Sequence, residues 1–183
     1  MLARDYFRTS RFRNAAAITA GVLLLIVLIL LAIPEGDNPA LRIVGVTSSS
    51  RQSAANDARL VMDGKRDTAW LTTGKDQGRY EWIRIRFAEE VRISKILMIN
   101  GYARVHPNRW IGDLYERYGR VRSARIALSD RASYFWTLDD NTRGYQTFTL
   151  PEPRKTSSVT IYIHNIWKGS VNRELAVSEI KIR

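Results

Sequence analysis

The sequence predicts an all-β protein, an antiparallel β-sandwich of jelly-roll type, carried behind one N-terminal transmembrane α-helix. Three observations predict it. Ala15 to Ile33 is a run of 19 residues without a charge, the segments beyond residue 40 alternate apolar with polar residues, and Gly, Asn, Asp or Pro stands in nearly every gap between them.

Taken in order, residues 1–14 form a basic stub with Arg4, Arg8, Arg11 and Arg13 against Asp5, a net of 4 − 1 = +3. The apolar run comes next. At about 1.5 Å per residue it reaches roughly 28 Å, close to the ~30 Å hydrocarbon core of a bilayer. Twelve of its residues are Leu, Ile or Val, each worth about −0.3 to −0.6 kcal/mol on insertion. Pro34, Glu35 and Gly36 end the helix. A cleaved signal peptide fits less well, because its apolar region is shorter and Ala32-Ile33-Pro34 is a poor cleavage site. Four arginines before the helix and Glu35 and Asp37 after it place the N-terminus in the cytoplasm and the C-terminal domain outside, periplasmic or extracytoplasmic. The arginines would also attract anionic lipid headgroups.

Residues 34–45 read as a linker and the lead into the first strand, and 46–183 as the folded domain. Trp82-Ile83-Arg84-Ile85-Arg86-Phe87 alternates strictly, which marks a strand with one wet face. Further strands are expected at Leu41–Thr47, Val91–Asn100, Arg120–Leu128, Tyr134–Leu138, Tyr145–Leu150, Val159–Ile166 and Ala176–Ile182. No segment after residue 34 has helical periodicity beyond a turn or two. Many short strands with turn residues between them make a sandwich.

Composition narrows the chemistry. The 183 residues include no cysteine, which removes disulfides, zinc-thiolate sites and thiol nucleophiles. Of the net charge of +11, residues 34–183 hold 25 − 17 = +8, which favours anionic partners such as lipid, acidic polysaccharide or an acidic protein face. Nucleic acid is not expected: the topology takes the domain out of the cytoplasm, and no glycine-rich phosphate loop or zinc-finger spacing supports it. Neither His106 nor His164 has a sequence-evident Ser or Asp partner, and Glu89-Glu90 and Asp139-Asp140 sit at strand ends where turn chemistry explains them. No enzyme is expected.

Asp63-Gly64-Lys65-Arg66-Asp67-Thr68-Ala69-Trp70, Glu81-Trp82-Ile83 and Val91-Arg92-Ile93-Ser94-Lys95-Ile96 together resemble the core of discoidin or coagulation-factor type C domains. Asn100-Gly101-Tyr102, Arg120-Val121, Phe148-Thr149-Leu150-Pro151 and Val177-Ser178-Glu179-Ile180 are closer to a bacterial branch of NADase-type glycan-binding domains. The resemblance covers residues 46–183 and implies the galactose-binding-like sandwich, without implying NADase activity. It also implies a structural calcium at Asp63, Asp67, Thr68 and Glu179. However, Lys65 stands where calcium-binding members commonly carry an acid. An ammonium there would neutralise Asp63 and Glu179, so a metal-free turn held by charge pairs is the expectation, and no cofactor is required.

Recognition in such folds uses loops at one end. The longest loop, Tyr102 to Gly119, holds Arg104, His106, Asn108, Arg109, Trp110, Asp113, Tyr115 and Arg117, a set that serves a sugar or a protein interface equally. Trp82 shares parity with Arg84 and Arg86, so a partly exposed ring with arginine stacking is expected there. Trp70 should plug one end of the sandwich. The leading functional reading is a non-enzymatic accessory subunit of a larger membrane assembly, bioenergetic or light-harvesting. Its helix would pack on neighbouring helices through Ala16, Ala17, Ala20 and Gly21. The alternative is a membrane-tethered glycan- or cell-wall-binding module.

Overall fold

The structure, a computed structural model, describes residues 42–183. The basic stub, the predicted span with Ala16, Ala17, Ala20 and Gly21, and most of the linker lie outside the described residues. Among the described residues no helix is long and apolar enough to cross a membrane.

Seven strands form the domain: β1 (Ile43–Ser48), β2 (Trp70–Leu71), β3 (Trp82–Asn100), β4 (Arg120–Leu128), β5 (Ser133–Thr137), β6 (Tyr145–Trp167) and β7 (Ala176–Ile182). The one α-helix among the described residues, α1, is the single turn Leu114–Arg117. The strand order is β2-β7-β3-β6-β4-β5, with β1 paired off this path to the early half of β3. All the strand pairs are antiparallel.

Two pairs of expected strands are each one long strand. Residues 82–87 and 91–100 are both β3, and 145–150 and 159–166 are both β6. The β3–β6 register shifts between Arg86 and Val91 and again between Ile93 and Lys95. At these bulges the pair bends and passes from one layer to the other. In the first layer, the early part of β3 lies beside β1 and the late part of β6 beside β4; in the second, the late part of β3 lies beside β7. Pro151 and Pro153 fall within the second shift, between the paired residues Thr149 and Arg154, where a missing N–H costs no ladder bond.

Burial follows the alternation. Ile83, Ile85 and Phe87 are buried while Arg84 and Arg86 are exposed. Val91, Ile93, Ile96, Met98, Ile126, Val159, Ile161, Val177 and Ile180 complete a core of fully covered side chains, each burial worth about 1.5–3 kcal/mol. Trp70 is fully buried and its Nε1 donates to the Ser50 carbonyl at 2.8 Å, so the ring closes the core without orphaning its N–H. Asn100, also fully buried, donates to the Val121 carbonyl at 2.7 Å and accepts from the Val121 N–H at 2.8 Å. One amide thus ties β3 to β4.

The direction of β1 fixes where the linker joins the domain. Ile43 pairs with Phe87 and Ser48 with Ile83. The chain therefore enters at the Phe87 end of the first layer. The segment leading into β3 lies at the opposite, Trp82 end.

Candidate functional site

At the Trp82 end, two loops that are far apart in the chain meet. The first is the turn from Gly74 to Tyr80. Gly74, Asp76, Gln77, Gly78 and Tyr80 all have positive φ there. Gly78 is obligatory, because a Cβ on it would stand 2.3 Å from Leu175 Cβ. Tyr80 N–H donates to the Ile163 carbonyl at 2.9 Å, and Ile163 N–H donates to the Glu81 carbonyl at 2.8 Å. The Glu81 carboxylate in turn accepts from Ser49 Oγ and, at 2.8 Å, from Ser50 Oγ. The Tyr80 backbone is thereby fixed while its side chain remains 74% exposed.

The second loop, 168–173, comes after β6. Gly169 lies so close to Arg117 that a Cβ would stand 2.3 Å from its carbonyl oxygen, and Asn172 N–H donates to that carbonyl at 2.8 Å. Between the loops is an open cleft of about 440 Å³ lined by Asp76, Gln77, Arg79, Tyr80, Lys168 and Arg173. A smaller recess of about 90 Å³, reaching Gly119, Ile166 and Val171, shares Gln77, Lys168 and Arg173 with it. The side chains of Arg79, Lys168 and Arg173 make no hydrogen bond or ion pair with any described residue. A rigidly mounted aromatic ring beside uncompensated donors can stack on an apolar face while binding oxygen acceptors.

Sequence reasoning missed this cleft. Its only trace was the glycine-bracketed segment Gly74–Gly78 ahead of Arg79 and Tyr80, and Lys168-Gly169 after β6.

The long loop divides differently from expectation. Residues 104–114 form a tight hairpin, with His106 N–H donating to the Gly112 carbonyl and Leu114 N–H to that of Arg104, both at 2.9 Å. Its tip displays Trp110, 83% exposed, with Arg109 Cζ 5.2 Å from the ring centroid. Arg104 is exposed too, whereas His106 is half-buried and its Nδ1 accepts from Asn108 N–H at 3.1 Å. Tyr115 does not belong to the surface. It is buried, its hydroxyl donates to the Asp140 carbonyl at 2.9 Å, and Arg120 and Arg143 lie over its ring. Arg120 grips the Asp140 carboxylate through both Nε and Nη2, at 2.5 and 3.1 Å. This network anchors the base of the loop, and burial raises the Tyr115 hydroxyl above its ordinary pKa. Arg117 is half-buried, and its role here is its backbone carbonyl beneath the second cleft loop.

Trp82, Arg84 and Arg86 share the outward face of β3, as the alternation requires. Arg84 Cζ lies 5.2 Å from the Trp82 ring centroid, and its Nε donates to Thr160 Oγ1 at 3.1 Å. On β6, Tyr162 pairs with Trp82 and carries Arg125 at 4.7 Å.

The Asp-Gly turn departs from expectation in two ways. Lys65 forms no ion pair with Asp63 or Glu179 and contributes its backbone instead: its N–H donates to Asp63 Oδ1 at 2.8 Å, and its carbonyl accepts from Thr68 Oγ1 at 3.1 Å. An exposed lysine keeps its ammonium in water at little cost, so no charge-paired turn forms. Asp67 is exposed and makes no hydrogen bond to Asp63, Thr68 or Glu179. Thr68 Oγ1 also donates to Asp63 Oδ2 at 2.9 Å. Glu179 is 2% exposed, and its Oε2 is buried without a hydrogen-bond partner. Burial and then the charge of Asp63 push its carboxyl up to about 7, against the pull of Lys181 and the Gly64 N–H. Among the described residues no group of three or more His, Cys, Asp or Glu side chains is placed to hold a metal. Two carboxylates, a hydroxyl and a backbone carbonyl do fit a hard cation, which takes oxygen ligands of all these kinds.

The fold is that of sugar-binding β-sandwiches. The family 32 carbohydrate-binding module of C. perfringens NanJ in complex with galactose matches with a TM-score of 0.57 at 15% identity, covering 80% of this chain and 97% of that one. A C. perfringens family 32 module in complex with GalNAc-β-1,3-galactose matches with a TM-score of 0.57 at 14% identity, covering 80% and 98%. The family 32 module of AlyQ in complex with 4,5-unsaturated mannuronic acid gives 0.55 at 15%, covering 77% and 95%. The chain itself belongs to the NAD glycohydrolase translocation F5/8 type C domain family, whose model matches residues 40–183. No curated protein matches it.

Proposed function

We propose that the domain is a glycan-binding module and that the cleft between residues 74–80 and 168–173 is its binding site. The observation that carries this reading is the pairing of a fixed, exposed Tyr80 with uncompensated side-chain donors in a concavity of ligand size; ligand pockets typically measure about 300–1,000 Å³. The names of the structural neighbours support it. They reverse the order in which the sequence ranks its two readings, since nothing among the described residues supports an accessory subunit of a membrane assembly. No reaction is assigned to the chain.

The apolar run 15–33 supports a single-pass tether in the cell membrane, with the stub cytoplasmic and the module outside. Calcium, held by Asp63, Thr68, Glu179 and the Lys65 carbonyl, would serve to neutralise the Glu179 pocket and has no part in gripping sugar.

A glycan array probed with the purified chain tests the reading. Tyr80→Ala should keep its melting temperature and lose the glycans bound by the parent. Retention of every glycan by the folded variant would place recognition elsewhere.

A further inference from the structure

We propose that the cleft takes an anionic sugar chain, with Arg79, Lys168 and Arg173 pairing with its uronate carboxylates. This rests on the glycan-binding reading and narrows it to a ligand class.

The argument is one of charge and of hydrogen-bonding sense. Some arginines of the domain are matched locally: Arg51 and Arg59 with Asp57, Arg120 with Asp140, Arg143 with Asp113 and Glu116, and Arg154 with Asp130 and Glu152. The cleft instead gathers unpaired cations in one concavity. Three cations line it against one acid, Asp76, a local excess of 3 − 1 = +2. Glu174, the chain neighbour of Arg173, is already engaged by Gln52 Nε2 at 3.2 Å.

A neutral sugar presents hydroxyls, which both donate and accept, and a site for them carries acceptors as well as donors. Arginine and lysine only donate. Asp76, Gln77 and the Tyr80 hydroxyl add acceptors to the lining, but the charged donors outnumber the one charged acceptor, and a planar carboxylate is the group that a guanidinium fork fits. The cations come from both sides of the cleft, Arg79 from one loop and Lys168 and Arg173 from the other. A polymer with repeated acids can span them, and Tyr80 offers a ring face between. A concave site of one sign also concentrates such a polymer before contact.

The test uses the full chain purified in neutral detergent, with polygalacturonate and its methyl ester as probes. These share one backbone and differ in carboxylate charge. The free acid should bind and the ester should not, and binding should weaken as ionic strength rises. Arg79→Gln/Lys168→Gln/Arg173→Gln should lower affinity about tenfold or more, the sum of three modest charge contacts. Arg92→Gln/Lys95→Gln/Lys155→Gln, which removes equal charge from exposed positions outside the cleft, should leave affinity unchanged.

Equal binding of acid and ester, lost in Tyr80→Ala, would overturn the anionic preference and leave the glycan reading standing. Failure to bind any glycan would overturn both. Equal loss in the two triple variants would show attraction to net charge alone and would also overturn the proposal.

Discussion

Glu179→Gln isolates the cost of one buried charge. In the metal-free protein the Glu179 carboxyl titrates near 7 instead of 4.5. Folding therefore favours the neutral acid. The stability this lends is fully present below pH 4.5 and is lost as pH rises from there through 7. Moving the carboxyl from 4.5 to about 7, at ~1.4 kcal/mol for each tenfold change in proton affinity, amounts to roughly 3 kcal/mol. Glutamine keeps the shape and removes the charge. In chelator at pH 8 the variant should be more stable than the parent by about 2–3 kcal/mol, and at pH 4.5 the two should coincide. For a domain of this size that is a difference of roughly 8–10 °C in melting temperature, read by thermal denaturation followed in the near-ultraviolet. Added calcium should act in the opposite sense. A concentration of 100 Kd would raise the parent by ~2.7 kcal/mol and leave the variant nearly unmoved. Parallel curves of melting temperature against pH for parent and variant in chelator would refute the reasoning, because the pocket would then carry no ionisation penalty.

Three other outcomes are expected. Asn100→Ala strands the buried N–H and carbonyl of Val121 and should cost about 3 kcal/mol in urea unfolding, with the slope unchanged. Trp110→Ala removes a ring that is already in water; stability should stay within about 0.5 kcal/mol, and array binding should persist if the cleft is the site. Because the chain lacks cysteine, single thiols report topology: in intact cells an impermeant maleimide should label Ser129→Cys and miss Thr9→Cys, and the reverse pattern would invert the proposed orientation.

Much of the sandwich was legible because its strands have one wet face. The Trp82–Phe87 alternation appears directly as buried Ile83, Ile85 and Phe87 and exposed Arg84 and Arg86. Strand continuity was not legible. Ala88-Glu89-Glu90 and Leu150-Pro151-Glu152-Pro153 interrupt the alternation, and bulged corners look the same in sequence as the ends of two strands. In the long loop, Trp110 and Arg109 could be read as exposed from composition. Tyr115 could not, because its burial depends on Asp140, Arg120 and Arg143 arriving from other parts of the chain. The cleft was illegible for the same reason: Tyr80 and Lys168 are neighbours only after β6 has run back beside β3. Lys65 misled because its type suggested a charge, whereas the turn uses its backbone.

The direction of β1 has a mechanical consequence. Its first residue, Ile43, pairs with Phe87, and its last, Ser48, with Ile83, so the start of β1 and the proposed cleft lie at opposite ends of the same pair of strands, roughly 17 Å apart along five residues of strand. Were a ligand in the proposed cleft pulled against the N-terminal end of the chain, the load would run along β1 and slide it past β3. The cross-strand bonds then bear the force together instead of parting one at a time like a zip. If the cleft holds a glycan and the N-terminal run a membrane, as proposed, this arrangement would brace the module with no added contact.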